Sequence, residues 1–142
     1  MAMRFRQTPI NVGQMRAAAT RVLEENPRVV FAYIFGSIAR GAQTPFSDVD
    51  IAVYVSEGAN LVSEKLEILG KLIEAIETDE IDLVLLNTAP LPLQARVLKD
   101  KDILVDRNPH FRHAFESMVI RKNLDFSIRE EAMLRRRFNL GG

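Results

Sequence analysis

The stretch FGSIARGAQTPFSDVDIAVYV, from Phe35 to Val55, is the part of the sequence that says most about fold and function. It joins the end of one apolar segment to the start of another, in which Asp48 and Asp50 stand two residues apart. Alternate residues of a β-strand point to the same face, so we expect both carboxylates to leave the sheet together, with α-carbons about 6.6 Å apart. Two neighbouring carboxylates repel each other unless a cation lies between them.

The segments around this stretch predict alternating strands and helices. Short apolar runs rich in β-branched residues indicate buried strands, and apolar residues at helical spacing indicate amphipathic helices. The predicted strands are Val29–Phe35 and residues 48–55, 81–86 and 103–105. The predicted helices are residues 11–25, a short one from Ile38, residues 61–77, one from Pro90 toward Leu98, and a long one after Asn108, an N-cap with Pro109 at the first helical position.

This order predicts an α/β (α+β) fold, in which helices pack on one small mixed sheet. We find no internal repeat and no linker, so we expect a single domain over residues 1–142. Its core would cover about residues 29–105, and a C-terminal helical segment about residues 108–138.

Helical spacing also predicts which side chains are buried. In the helix of residues 61–77 we place Val62, Leu66, Leu69, Leu72, Ile73 and Ile76 on the buried side. In the last helix we assign Phe111, Phe115, Met118 and Val119 to the core. The less periodic residues that follow, Phe126, Met133 and Phe138, are our candidates for contact with a partner.

Composition favours an ordinary globular protein of the cytoplasm. The chain has 142 residues, 47% of them hydrophobic, and it has no cysteine, which excludes disulfides and thiolate metal sites. We find neither a secretory signal nor a run long enough to cross a membrane, so we expect cytoplasmic location and no membrane partner. The net charge is zero, but residues 41–106 carry −8 between two segments that each carry +4. Basic runs such as Arg135–Arg137 lack interleaved aromatic residues, so we do not expect direct binding of nucleic acid.

The paired aspartates predict a site for a hard divalent cation. Mg²⁺ prefers carboxylate oxygens together with substrate phosphates. Asp82 lies between Ile81 and Leu83 in the next predicted core strand. Beside the first strand it would complete a cluster of three carboxylates, which suits two metal ions. The plainer alternative is that Asp48 caps a turn and Asp50 is a charge at a strand edge.

The glycine–serine turn strengthens the metal interpretation. Gly36 and Ser37 end the first strand, where a glycine lets backbone N–H groups approach phosphate oxygens closely. A helix that starts just afterwards would direct its positive end toward the same anion. Arg40 either contacts phosphate or braces the loop by pairing with a nearby acid, and we favour bracing.

Together these pieces resemble the nucleotidyltransferase superfamily related to DNA polymerase β. The residues that carry the resemblance are Gly36-Ser37, Asp48-Val49-Asp50 and Ile81-Asp82-Leu83, with Ala39-Arg40-Gly41 and Ser47 between them. The chain is most similar to the minimal nucleotidyltransferases, the MntA-type antitoxins of HEPN/MNT toxin–antitoxin systems. The motifs cover residues 29–87, and the length of the chain fits that family as a whole.

The resemblance implies a polymerase β-like palm fold and a defined site. Gly36, Ser37, Arg40 and Ser47 would bind the nucleotide. Asp48, Asp50 and Asp82 would be catalytic and would bind two Mg²⁺ ions, with Asp82 also helping to activate the incoming hydroxyl. The reaction implied is transfer of AMP from ATP with release of pyrophosphate.

The acceptor implied by the resemblance is a tyrosine hydroxyl on a partner HEPN-family RNase toxin, so that the chain acts as its antitoxin. Two alternatives stay open at this point. The chain could neutralise the toxin by binding alone, or it could transfer the nucleotide to a small molecule. The base of the nucleotide, the number of AMP units, the stoichiometry of the complex and the role of Arg135–Arg137 do not follow from the sequence.

Overall fold

The computed structural model describes residues 11–42 and 48–138, which form a four-stranded sheet and five helices. In chain order these are α1 (Val12–Glu24), β1 (Val29–Phe35), α2 (Gly36–Ala39), β2 (Val49–Val55), α3 (Leu61–Ile76), β3 (Ile81–Leu85), α4 (Leu91–Lys99), β4 (Asp102–Asp106) and α5 (Pro109–Phe138). The predicted α+β class is confirmed. The ends differ slightly: α2 begins two residues before Ile38, and Asp48 lies just outside β2.

The sheet is mixed, with the strand order β3-β2-β1-β4. β1 runs antiparallel to β2 and β4, whereas β2 and β3 are parallel. Parallel neighbours need a crossover connection, and α3 provides it here. β1 and β2 occupy the centre, which explains why nearly all their side chains are buried.

Helices cover both faces of the sheet. On one face α1 and α3 bury aliphatic residues such as Leu23 and Leu72 against the alternate strand residues Ile34, Ile51 and Val53. On the other face α4 and α5 pack against an aromatic cluster. In that cluster the rings of Phe31 and Tyr54 stack with centroids 5.2 Å apart, and Phe115 contacts both. Asp50 shares this second face, since it alternates with Ile51 along β2.

Asparagine side chains cap three of the helices. Asn11 accepts a hydrogen bond from the Gln14 N–H at 3.0 Å, and Asn60 accepts one from Ser63 at 3.1 Å. Asn108 accepts one from the Phe111 N–H at 3.0 Å, which confirms the predicted N-cap before Pro109. Each cap satisfies an N–H group that has no partner within its helix.

The predicted buried face of α3 was partly wrong. Val62 and Leu66 are 72% and 66% exposed, whereas Leu69, Leu72 and Ile76 pack on the core as predicted. Glu64 takes the buried position in the first turns, because its carboxylate meets polar partners below the helix. Hydrophobic periodicity alone does not locate such a polar contact.

The predicted core stripe of α5 also needs correction. Phe115 and Val119 are buried, but Phe111 and Met118 are 37% and 36% exposed. Farther along, Phe126 and Met133 are exposed; contact with a partner stays a prediction for them, and the side chain of Phe138 lies outside the described residues. Within residues 11–42 and 48–138, no helix is long and apolar enough to span a bilayer.

Candidate active site

The glycine–serine turn and the first strand aspartate meet at one end of the sheet. β1 ends at Phe35, whose α-carbon pairs with that of Asp50 in the antiparallel neighbour β2. The chain then turns at Gly36, with φ +75°, directly into α2. Gly36 and Ser37 therefore lie beside Asp50, and phosphate binding by this turn stays a prediction.

Gly36 and Asp50 approach each other very closely. A β-carbon placed on Gly36 would lie 2.3 Å from Oδ2 of Asp50, which is far inside van der Waals contact. The φ of Gly36 also lies in the left-handed region, which favours glycine. Both the lack of space for a β-carbon and the backbone conformation therefore require glycine at this position.

Asp82 lies beside Asp50 on the neighbouring strand. The parallel register of β2 and β3 pairs the α-carbon of Asp50 with that of Asp82. Paired residues in adjacent strands direct their side chains to the same face. Asp82 is exposed and Asp50 is half-buried, and Asp48, immediately before β2, is exposed. The fold thus brings all three predicted carboxylates to the same end of the sheet.

The electrostatics of Asp50 reflect this crowding. Burial, followed by the negative charges of Asp82 and Asp48, raises the pKa of Asp50 to about 6. The positive charges of Arg96 and Arg40 partly oppose that shift. Concentrated negative charge of this kind favours a cation, because the cation removes the repulsion between the carboxylates.

The donor set fits a hard cation such as Mg²⁺, which takes carboxylate oxygens. The carboxylates of Asp48, Asp50 and Asp82 are, however, not gathered to the spacing of a metal centre. Across residues 11–42 and 48–138, no group of three or more His, Cys, Asp or Glu side chains is arranged to hold a metal ion.

Arg40 takes the bracing position that the sequence analysis favoured. Its Nη1 lies 3.0 Å from Oδ2 of Asp100, just beyond α4, in a partly exposed ion pair. This pair connects the turn after α2 to the α4–β4 connection. Ser47, the remaining predicted nucleotide-binding residue, lies outside the described residues.

Two residues near the site were not predicted from the sequence. Arg96, in the last turn of α4, is close enough to Asp50 for its charge to lower the pKa of that carboxyl. Asp100 holds Arg40. Both stand far from the aspartate motif in the sequence, and neither belongs to a recognisable spacing. Only the packing of α4 over the sheet reveals them.

A polar network joins α5 to the sheet on the same face. The Tyr33 hydroxyl donates to Oε2 of Glu116 at 2.6 Å, and Arg112 donates to both Asp106 and Glu116. Lys101 adds an ion pair with Glu116 at 3.5 Å. Tyr33 is fully buried. This network positions α5 and the aromatic cluster beneath it.

Comparison with known proteins agrees with this arrangement. The family model described as polymerase beta, nucleotidyltransferase matches residues 18–110. A Methanocaldococcus jannaschii protein named as a protein adenylyltransferase is 33% identical over 115 residues, which are 75% of this chain and 87% of that protein. The protein adenylyltransferase MntA of Shewanella oneidensis is 34% identical over 79 residues, 55% of each chain.

Solved structures share the fold. A chain of a toxin–antitoxin complex with AMP-PNP superposes with a TM-score of 0.71 at 24% identity, covering 87% of this chain and 98% of that one. A chain from the complex of a tri-AMPylated Shewanella oneidensis HEPN toxin with its MNT antitoxin gives a TM-score of 0.68 at 21% identity, covering 89% and 98%. A chain of a mutant MntA–HpeT toxin–antitoxin complex gives 0.67 at 26% identity, covering 83% and 93%.

Proposed function

Because the chain belongs to the polymerase beta nucleotidyltransferase family, we propose that it transfers AMP from ATP to a tyrosine hydroxyl of a HEPN-family RNase toxin and so acts as its antitoxin. Two relatives are named protein adenylyltransferases, and similar folds occur in MntA toxin–antitoxin complexes. The observation that carries the proposal is the pairing of Asp50 with Asp82 directly beside the Gly36 turn.

The proposed reaction forms one bond and breaks one. The acceptor hydroxyl oxygen attacks the α-phosphorus of ATP, the bond from that phosphorus to the bridging oxygen breaks, and pyrophosphate leaves. Asp82, the exposed carboxylate of β3, would take the hydroxyl proton. Asp48, Asp50 and Asp82 would hold Mg²⁺, and two ions, when bound, would supply the positive charge that stabilises the attacking and leaving oxygens.

The other residues orient the triphosphate. Gly36 and Ser37 would place backbone N–H groups and a hydroxyl against phosphate oxygens, since the absent side chain at Gly36 allows close approach. Arg96 would add positive charge on the α4 side, while Arg40 keeps the turn in place through Asp100. Holding the reacting atoms in line supplies most of the rate enhancement in such transfers.

The test is co-expression of the chain with the protein encoded beside it, followed by the intact mass of that protein. We expect a gain of one or more AMP masses with the wild type and none with Asp48→Asn/Asp50→Asn. A partner that co-purifies unmodified with the wild type would contradict the enzymatic proposal and favour neutralisation by binding alone. A partner neither bound nor modified would contradict the choice of acceptor.

A further inference from the structure

The two edge strands of the sheet are protected to different degrees. β4 has a register irregularity and carries an acid at each end, and Asp102 is paired with Arg16 from α1 at 3.1 Å. Irregular pairing and charged side chains are the usual means of keeping an edge from pairing with another chain. β3 continues beyond Asp82 as Leu83, Val84 and Leu85, with regular pairing to β2.

The backbone of β3 leaves one set of polar groups directed outward. The Val49 N–H donates to the Glu80 carbonyl and the Leu86 N–H donates to the Val53 carbonyl, both at 2.9 Å. Even-numbered residues of β3 therefore bond to β2, and the alternate residues Ile81, Leu83 and Leu85 direct their N–H and C=O groups away from the sheet. The Leu85 carbonyl accepts from Ala89, whereas Leu83, which is 4% exposed, lines the groove described next.

A groove of about 540 Å³ runs along this edge and begins at Asp82. Its floor is residues 82–85, one wall is the start of α3 with Leu61, Val62 and Lys65, and the other wall is residues 88–90 with Leu93. The two walls lie on opposite faces of the sheet, since Leu61 packs with the aliphatic cluster and Leu93 with the aromatic one. Val62 lines this groove, and its side chain is 72% exposed.

An added β-strand requires a strand edge with outward backbone groups and space on both faces of the sheet, and the edge at β3 has both. Its backbone would bond to the outward groups of β3, and its side chains would alternate between the two walls. We propose that the groove binds an extended, apolar segment of the acceptor protein as an additional strand, with the hydroxyl-bearing residue opposite Asp82. The inference rests on the proposed transfer to a protein and specifies how that acceptor is recognised.

The register follows from the geometry of paired strands. A residue paired with Asp82 would direct its side chain to the face that carries Asp50, which is where the hydroxyl must react. The residues on either side would point to the opposite face, toward Leu61 and Val62. Pairing along all five residues of β3 would order about 16 Å of acceptor chain. Apolar residues flanking the acceptor hydroxyl would suit this groove.

The test compares Val62→Glu with Ile103→Glu, which likewise replaces an exposed aliphatic residue by glutamate, but on the opposite edge strand. The acceptor is the purified HEPN-family protein, and the readouts are kcat/KM for AMP transfer and the calorimetric affinity for AMP-PNP. We expect Val62→Glu to lower kcat/KM for the acceptor about tenfold or more, with AMP-PNP affinity unchanged. Ile103→Glu should behave as the wild type.

Amide hydrogen exchange supplies a second readout that does not depend on a side chain. The Leu83 N–H should exchange more slowly when the acceptor is bound, because it gains a hydrogen bond. The Val84 N–H, which points to β2, serves as the internal reference and should change little.

Each other outcome rejects the inference in a recognisable way. Wild-type transfer rates for Val62→Glu, with no protection of Leu83, would show that the acceptor docks elsewhere while the proposed function stands. Weaker AMP-PNP binding by Val62→Glu would assign the groove to the nucleotide base, and conversion of a dimer to a monomer would assign it to a second copy of the chain. No transfer by the wild type would reject the proposed function itself.

Discussion

A single glycine determines how closely the turn after β1 can approach the carboxylate of Asp50. Gly36 has no side chain to occupy the space at Oδ2 of Asp50, and its backbone adopts a conformation that other residues rarely take. The aspartate spacing and the glycine–serine turn could be read from the sequence because both are local patterns. Arg96 and Asp100 could not, because their relation to the site depends on where α4 packs.

Gly36→Ala should reduce AMP transfer about 100-fold, because the new β-carbon would displace either the turn or Asp50 from the geometry that the reaction needs. It should also lower stability by about 1–2 kcal/mol, the cost of a left-handed conformation for alanine. Transfer rates and thermal unfolding check both effects.

The matched control is Gly58→Ala. Gly58 also has a positive φ, +84°, but a β-carbon there would meet no atom within 4 Å. The control should lose similar stability and keep wild-type activity. Equal activity in the two variants would contradict the role assigned to Gly36.

At the scale of elements, polar contacts set the rotation of α3 and the position of α5. The sequence predicted that both helices exist and that they are amphipathic. It did not predict that Glu64 would be buried, with its carboxylate accepting from the Asn26 amide at 3.1 Å and paired with Arg28. Such contacts join residues far apart in the chain, so helical periodicity carries no signal of them.

Glu64→Ala should destabilise the fold by about 1–3 kcal/mol, because it leaves the buried Asn26 amide without its acceptor. Glu67→Ala, in the same helix, removes exposed ion pairs with Lys71 and Arg28 but leaves the Asn26 amide bonded, and it should cost less than about 1 kcal/mol. Urea denaturation of the two variants measures the difference. Equal losses would contradict the role of Glu64 in orienting α3.

The contact of α5 with the sheet should depend on pH. Burial acts to raise the pKa of Glu116, but hydrogen bonds from Tyr33 and Arg112 and the charges of Lys101 and Arg112 outweigh it and lower the pKa below the ordinary value. A lowered pKa in the folded state stabilises the fold above the unfolded-state pKa, and this contribution is lost as the pH falls through the folded-state pKa.

We therefore expect the stability advantage of the wild type over Glu116→Gln to shrink between neutral pH and about pH 3. Urea denaturation at both pH values checks this. Glu131→Gln, which alters an exposed pair with Arg135 farther along α5, should show little such dependence. A constant difference between wild type and Glu116→Gln would contradict the lowered pKa.

At the scale of the whole molecule, the order of strands and helices was enough to predict the α+β class and, with the motifs, the family. The order of strands in the sheet could not be predicted in this way. Placing β3 beside β2, in the register that pairs Asp82 with Asp50, depends on contacts across the chain. That placement also leaves β3 at the edge, which creates the groove next to the carboxylates.

The most direct test of AMP transfer to the acceptor follows the phosphorus atoms of ATP. The purified chain, Mg²⁺ and the HEPN-family protein would be incubated with ATP labelled at the α-phosphate or at the γ-phosphate, using wild type and Asp50→Asn. We expect that only the α-label reaches the acceptor, and that Asp50→Asn abolishes the transfer. Label from the γ-phosphate on the acceptor, or undiminished transfer by Asp50→Asn, would contradict that expectation.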